Sequence, residues 1–157
     1  MTIYATVGCS CSGKTTWSRK ISGVMPILSY DACYGHLYGT PKKEGIDEDV
    51  KAWRRTAVSH MIGETIMILD RSGNKETALI GPFSTRWFQK KLIESLCGPL
   101  SARHKIIWVN FEETLKTLLE RAKSDNRTTH QIEVVEKQFA KVHFPAEGRL
   151  PESFLPQ

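Results

Sequence analysis

No run in this chain approaches the ~20 consecutive apolar residues that a membrane-spanning helix needs. Its first residues, Met1-Thr2-Ile3-Tyr4, carry neither the basic nor the apolar segment of a secretory signal. The expectation is a soluble, cytoplasmic protein with no membrane contact. Cysteine is present but unpatterned: Cys9, Cys11, Cys33 and Cys97 make no CxxC pair, so their spacing offers neither a zinc ribbon nor a disulfide framework. Internal repeats and low-complexity tracts are absent as well. What remains is 157 residues with 40% hydrophobic content, enough to bury one core and too few for two ordinary domains. Residues 1–157 are therefore read as a single domain. A formal net charge of +5 favours a polyanionic partner, although small-molecule kinases also gather Lys and Arg around their sites.

The most informative stretch is Gly8-Cys9-Ser10-Cys11-Ser12-Gly13-Lys14-Thr15, which fits G-x-x-x-x-G-K-[ST], the phosphate-binding P-loop. Its context is right. Before it stands a β-branched and aromatic run ending at Val7, and after it Thr16-Trp17-Ser18-Arg19-Lys20-Ile21 continues without Gly or Pro until Gly23. The two glycines let the backbone turn so that successive N–H groups face a polyphosphate, at the positive end of a helix dipole. Residues Gly8 through Thr16 are thus the expected ATP-binding loop, with Lys14 reaching the β and γ phosphates and the Thr15 hydroxyl holding Mg²⁺. A disulfide or zinc at Cys9 and Cys11 would block this loop, so a reducing compartment is implied and the two thiols read as small side chains at variable positions. A helix N-terminus can also lower a thiol pKa, which makes oxidation sensitivity a further expectation.

Along the rest of the chain, strands and helices alternate. Pro26-Ile27-Leu28-Ser29 reads as a short buried strand ending in Tyr30-Asp31, which puts Asp31 beyond a strand's carboxyl end, where ligands of open α/β sheets sit. An N-cap for the following residues is an alternative role for Asp31. Residues 32–45 are aromatic, basic and Gly-punctuated, and read as a loop or short helix over the site whose rings either stack bases or pack the loop; His36 reads as solvated. A long helix follows from Asp47-Glu48-Asp49 to near Gly73, with Arg54 and Arg55 off its apolar stripe. Thr77 to Gly81 is a strand. Ser84-Thr85 then opens a helix expected to turn Trp87, Phe88, Leu92, Ile93 and Leu96 inward and Arg86, Lys90 and Lys91 outward, ending at Gly98-Pro99. His104 to Asn110 is the last strand, followed by a helix carrying Leu115, Leu118, Leu119 and Ala122 on one face. A basic turn from Arg121 to His130 and a final amphipathic helix through Ile132, Val135, Phe139 and Val142 complete the pattern. The alternation marks an α/β fold with a parallel sheet and helices on both faces. The basic turn reads as a lid over the phosphates or as an ordinary link between helices.

The P-loop with its flanking Val7 and Trp17, Tyr30-Asp31 after the second strand, and Arg121 and Arg127 ahead of a helix leading to Pro145 together resemble the P-loop kinase domain of the bacteriophage polynucleotide kinase family. The resemblance covers nearly the whole chain. It implies a three-layer P-loop kinase domain with a helical lid at about 121–131 and a C-terminal strap at about 145–157. It implies a phage-encoded, ATP- and Mg²⁺-dependent enzyme that phosphorylates a hydroxyl on DNA in the host cytoplasm. By position, Lys14 and Thr15 match the family's phosphate and metal residues. Asp31 matches the aspartate that takes the proton of the attacking hydroxyl, and Arg127, with Arg121 beside it in the motif, matches the lid arginine. Such roles suit phosphoryl transfer, which rests on positioning and electrostatic stabilisation with a base at the nucleophile.

Two departures fall on the acceptor side. The family commonly has an arginine three residues after the aspartate, where this chain has Tyr34. It commonly ends the third strand in Asp followed by Thr and Asn, where this chain reads Gly81-Pro82-Phe83-Ser84-Thr85, leaving open which acid completes the Mg²⁺ site. Both departures tilt the expected acceptor slightly from a polynucleotide 5′-hydroxyl, which stays open, toward an internal 5-hydroxymethyluracil, as in a related group of phage kinases. Tyr34, Tyr38 and Arg86 are the candidate acceptor contacts, with Phe83 and Trp87 as further candidate stacking rings. A small-molecule nucleoside, nucleotide or sugar kinase is the alternative enzyme, and a nucleotide-binding module without turnover the non-enzymatic one.

Overall fold

The computed structural model describes residues 2–39, 48–71, 75–81, 83–96 and 104–145. In chain order these form β1 (Thr2–Val7), α1 (Lys14–Ile21), β2 (Ile27–Ser29), α2 (Tyr30–Tyr38), α3 (Glu48–Arg71), β3 (Glu76–Ile80), α4 (Arg86–Leu96), β4 (Lys105–Asn110), α5 (Leu115–Ser124) and α6 (Thr129–Lys141). The four strands make one sheet in the order β2-β3-β1-β4. Every pairing is parallel, with Val7 opposite Asn110 and Ser29 opposite Ile80. All four carboxyl ends therefore open on one edge, which is where an α/β sheet receives its ligand.

The period of two along β1 explains the layers. Ile3, Ala5 and Val7 join a core cluster with residues of α2, α3 and α4, whereas Tyr4 faces the opposite cluster with Trp17 and Ile21 of α1 and with Ile107, Val109 and Phe111. Thr6, buried among them, donates its hydroxyl hydrogen to the Leu79 carbonyl at 3.3 Å. A smaller third cluster of Cys9, Leu118 and Val135 seats α5 and α6 on the P-loop side. Burying one such Leu or Val contributes ~1.5–3 kcal/mol, against ~1 kcal/mol for the Thr114 and Thr128 helix caps, so packing sets where these helices lie and the caps set where they begin.

Several expectations are corrected by the packing. Tyr30-Asp31 does not end β2 but opens α2, because the Ser29 side chain accepts from the Ala32 N–H and caps that helix. The cap role considered for Asp31 therefore falls to Ser29, and the start of the 32–45 segment is a regular helix. On α4 the buried stripe is Gln89, Leu92 and Leu96, with Phe88 half-buried; Trp87 and Ile93, expected inside, are 48% and 45% exposed. The cause is angular: at ~100° per residue, position 93 falls on the flank of the 89-92-96 stripe and position 87 on the opposite face of the helix. Val142 lies past the end of α6, in an extended segment that runs to Pro145. The helix end near Gly73, the stop at Gly98-Pro99, Cys97, residues 40–47 and the tail after Pro145 lie outside the described residues. Among the described residues, no helix is long and apolar enough to cross a membrane.

Candidate functional site

The loop between β1 and α1 has the backbone that a phosphate cradle requires. Gly13 is the N-cap of α1, with φ 102° and no side chain capping the helix, so the first amides of α1 are left for another acceptor. Cys11 also has positive φ, at 66°. A non-glycine residue held there is a strained position of the kind that collects at ligand-binding turns. Gly8 has no room for more: a Cβ would lie 2.6 Å from Ser12 Oγ and 3.0 Å from Phe111 Cβ. Lys14 arches back over the loop, its ammonium donating to the Gly8 carbonyl and, at 2.7 Å, to the Cys9 carbonyl. Thr15 and Thr16 are exposed at the start of α1.

Side chains from distant elements grip this loop. Ser84, between β3 and α4, accepts from the Gly8 N–H at 3.1 Å and donates to the Gly8 carbonyl at 2.9 Å. Gln138 of α6 accepts from the Ser10 N–H at 2.8 Å. Arg121 of α5 donates to the Cys11 carbonyl at 3.1 Å and pairs with Glu113 at 3.1 Å. Of the two lid arginines, Arg121 thus touches the P-loop. Arg127 is exposed, and its backbone N–H closes the α5–α6 turn on the Ala122 carbonyl at 3.0 Å. That turn is a short link, with Asn126 at φ 54° and a capping box formed by Thr128 and Gln131.

Asp31 is exposed in the first turn of α2, beyond the carboxyl end of β2. The sheet order puts only β3 between β2 and β1. At ~4.8 Å per strand, the starts of α2 and of the P-loop lie about 10 Å apart along one edge. The candidate base and the candidate phosphate loop therefore lie on the same edge of the sheet, with the end of β3 between them. The aromatic candidates fare differently. Tyr34 is 2% exposed, its ring tilted against Tyr30 and Tyr38 at centroid distances of 6.0 and 5.3 Å. It is a core ring and offers no face to a base. Phe83 is 0% exposed, and Tyr38 stacks on Trp53 at 5.1 Å. Arg86 is exposed at the first position of α4, beside Trp87, over which Arg55 lies at 5.4 Å. His36 is exposed, as expected, and stacks on His60 at 6.3 Å.

Burial pushes the Cys9 thiol above its ordinary pKa, and the nearby Lys14 charge only partly opposes that shift. The expectation that the helix end would activate this thiol gives way to its position in the Leu118–Val135 cluster. For Mg²⁺, the exposed Thr15 hydroxyl is a hard oxygen ligand at the mouth of the loop, and no group of three or more His, Cys, Asp or Glu forms a metal cage among the described residues. The set fits a cation carried mainly by phosphate oxygens and water, with Thr15 as a protein contact. Sequence reasoning did not find Ser84, Gln89, Gln138 or His143. Ser84 had a signal, since it stands in the segment where an acid was expected and was missing.

A parallel sheet with a P-loop at its carboxyl edge, flanked by helices on both faces, defines a nucleotide-binding fold of the P-loop kinase kind. The chain belongs to the AAA domain family, whose model matches residues 3–147. Among solved structures it is similar to a Chloroflexus aurantiacus j-10-fl protein provisionally described as a kinase, at 21% identity over 85% of this chain and 74% of that one, with a TM-score of 0.62. It is also similar to a shikimate kinase from Acinetobacter baumannii in complex with shikimate (15% identity, 98% and 86% covered, TM-score 0.57). A gluconokinase from Sinorhizobium meliloti 1021 matches at 16% identity, 92% and 75% covered, with a TM-score of 0.54. At such identities the likeness is one of fold. No curated protein matches the chain by sequence. These findings support P-loop kinases broadly and do not single out the phage polynucleotide kinase family.

Proposed function

We propose that this protein is an ATP- and Mg²⁺-dependent phosphotransferase that moves the γ-phosphoryl group to a hydroxyl of a small molecule. The observation that carries the reading is the P-loop and the exposed Asp31 on one sheet edge, about two strand spacings (~10 Å) apart. Lys14 would leave the Gly8 and Cys9 carbonyls for the phosphates, and the bare amides of α1 would receive the phosphate oxygens. Asp31 would accept the acceptor's hydroxyl proton, and Arg121 is the basic group already at the loop. Bound Mg²⁺ would supply charge neutralisation between the phosphates, with Thr15 as its protein contact. A small acceptor is favoured because the rings considered for base stacking, Tyr34 and Phe83, are inside the core. The named neighbours also act on small molecules by their descriptions.

A hydroxyl on DNA is the second reading, and one observation favours it. Trp87 is 48% exposed under the Arg55 guanidinium, next to Arg86, a surface pairing of cation and ring that nucleic acids can meet. Incubation with γ-labelled ATP separates the readings. The acceptors are a panel of small alcohols including shikimate, gluconate and nucleosides, 5′-hydroxyl oligonucleotides, and duplexes bearing internal 5-hydroxymethyluracil with blocked 5′ ends. Label in small alcohols supports the main reading, and label only in DNA replaces it with the second. Label released only as inorganic phosphate makes the protein an ATPase, and no transfer with tight ATP binding leaves a nucleotide-binding module without turnover.

A further inference from the structure

Gln89 is a polar side chain on the buried stripe of α4, 5% exposed, and nothing in the proposed chemistry uses it. Its amide nitrogen donates to the Phe83 carbonyl at 2.7 Å and to the His143 carbonyl at 2.7 Å. Both amide hydrogens are then spent on carbonyls, so the amide oxygen can only accept, and it does so from His143 Nδ1 at 2.9 Å. His143 in turn donates its backbone N–H to the Ser84 carbonyl at 2.9 Å. The segment 142–145 that carries His143 is tied to the end of β4 by Asn110, whose Nδ2 donates to the Pro145 carbonyl at 2.9 Å. Phe83 and Ser84 are thus held by their carbonyls from two sides. Among the described residues, the side chain that carries that clamp to the nucleotide loop is Ser84, whose hydroxyl bonds both backbone groups of Gly8.

We infer that Gln89 and His143 are positioning residues of the nucleotide site, acting through Ser84 to hold Gly8 and to keep its carbonyl satisfied when Lys14 turns to the phosphates. The inference rests on the proposed nucleotide reading. In the present arrangement the Gly8 carbonyl accepts from both Lys14 and Ser84. When Lys14 moves away, a part-buried carbonyl without Ser84 would lose its remaining side-chain donor, and leaving such a group unsatisfied is costly. With Ser84 fixed in advance, recruiting the lysine carries no such penalty. The β3–α4 segment, which lacks the acid that the resemblance led us to expect, has this other task.

The test is MgATP binding by titration calorimetry to the full chain, together with thermal unfolding. Ser84→Ala should weaken MgATP about tenfold, the effect of ~1.4 kcal/mol lost from one hydrogen-bonded group. Ser84→Thr, which keeps the hydroxyl, should restore most of it. Gln89→Leu should act in the same direction, and adding it to Ser84→Ala should cost little more, because both act through one hydroxyl. Lys90→Ala, an exposed change on the same helix, should leave binding unaltered. Equal MgATP affinity for Ser84→Ala and wild type overturns the inference even if the melting temperature falls, since a purely structural role would move only the latter. Should Gln89→Leu fail to fold, the Ser84 pair decides alone. Wild type that binds no MgATP overturns the nucleotide reading and this inference with it.

Discussion

The two sides of the sheet's carboxyl edge are built by opposite means. On the P-loop side, polar side chains from β3–α4, α5 and α6 reach across to the backbone of a glycine-punctuated turn, fixing Gly8, Ser10 and Cys11 individually. On the α2–α3 side, rings pile against rings, Tyr30 on Tyr34, Tyr34 on Tyr38 and Tyr38 on Trp53, and the wall is held by apolar contact. On the proposed reading, the first side would hold a ligand whose charges are the same in every nucleotide, so it needs fixed donors. The second would suit a particular acceptor, with Asp31 exposed in the first turn of α2 beside the buried rings of Tyr30 and Tyr34. The difference suggests which substitutions act on chemistry and which act only on stability.

The largest expected effect is at the first side. Lys14→Ala or Lys14→Met should bring phosphoryl transfer to background, because on the proposed reading the ammonium is the charge that meets the phosphates. The fold should persist, since Lys14 is only half-buried and its bonds to the Gly8 and Cys9 carbonyls are local to the turn. Full activity in either variant, measured with labelled ATP, would remove the loop from the mechanism. At the second side, Asp31→Asn should lower kcat by about 10²–10⁴-fold while ATP affinity stays near wild type. Lost Mg²⁺ or ATP binding in that variant would instead make Asp31 a metal contact and blur the division between the two sides.

A smaller effect sharpens the contrast. The Tyr34 hydroxyl is buried with no hydrogen-bond partner among the described residues. Tyr34→Phe removes an unsatisfied group whose burial costs ~1–3 kcal/mol, so stability should hold or rise by up to ~1 kcal/mol in urea unfolding. The acceptor KM should not move. A rise in KM would return Tyr34 to the acceptor contacts.

What the sequence made legible follows the same division. The P-loop could be read because its chemistry is local: spacing of glycines, one lysine and one threonine between a strand and a helix suffices. Asp31 could be read because β2 is short and ends beside it. Layers and parallel pairing followed from alternation, and the helix bounds of α5 and α6 came out within a few residues of expectation. The aromatic wall could not be read, because Tyr34 and Tyr38 stand four residues apart on a helix and only tertiary contact shows that one is core and the other rim. Nor could the clamp, whose members Ser84, Gln89 and His143 are polar residues in unremarkable contexts joined over 54 positions. Trp87 was misjudged for a related reason: its size argued for burial, and the buried Gln89 holds the stripe that would have needed it.

The smallest expected effect lies inside the P-loop itself and tests whether its thiol is reactive or structural. Cys9 is 3% exposed and packs with Leu118 and Val135, and burial raises its pKa while the Lys14 charge lowers it by less. A raised thiol pKa means less thiolate at a given pH, so alkylation by iodoacetamide at pH 8 should be slower at Cys9 than at a cysteine in the unfolded chain, by a few-fold or more once restricted access is added. The folded state then holds its proton more tightly than the unfolded state, and the stability this contributes is present below the unfolded thiol's pKa and lost as pH rises through the folded one. Lys14→Ala removes the opposing charge and should slow Cys9 alkylation further, whereas a loop that activated its thiol would show the reverse order. Peptide mass spectrometry after timed alkylation, with and without denaturant, reads both rates at Cys9 separately from Cys11. Faster labelling of Cys9 in the folded protein than in denaturant would mean that the helix end, and not the apolar cluster, governs the chemistry of this loop.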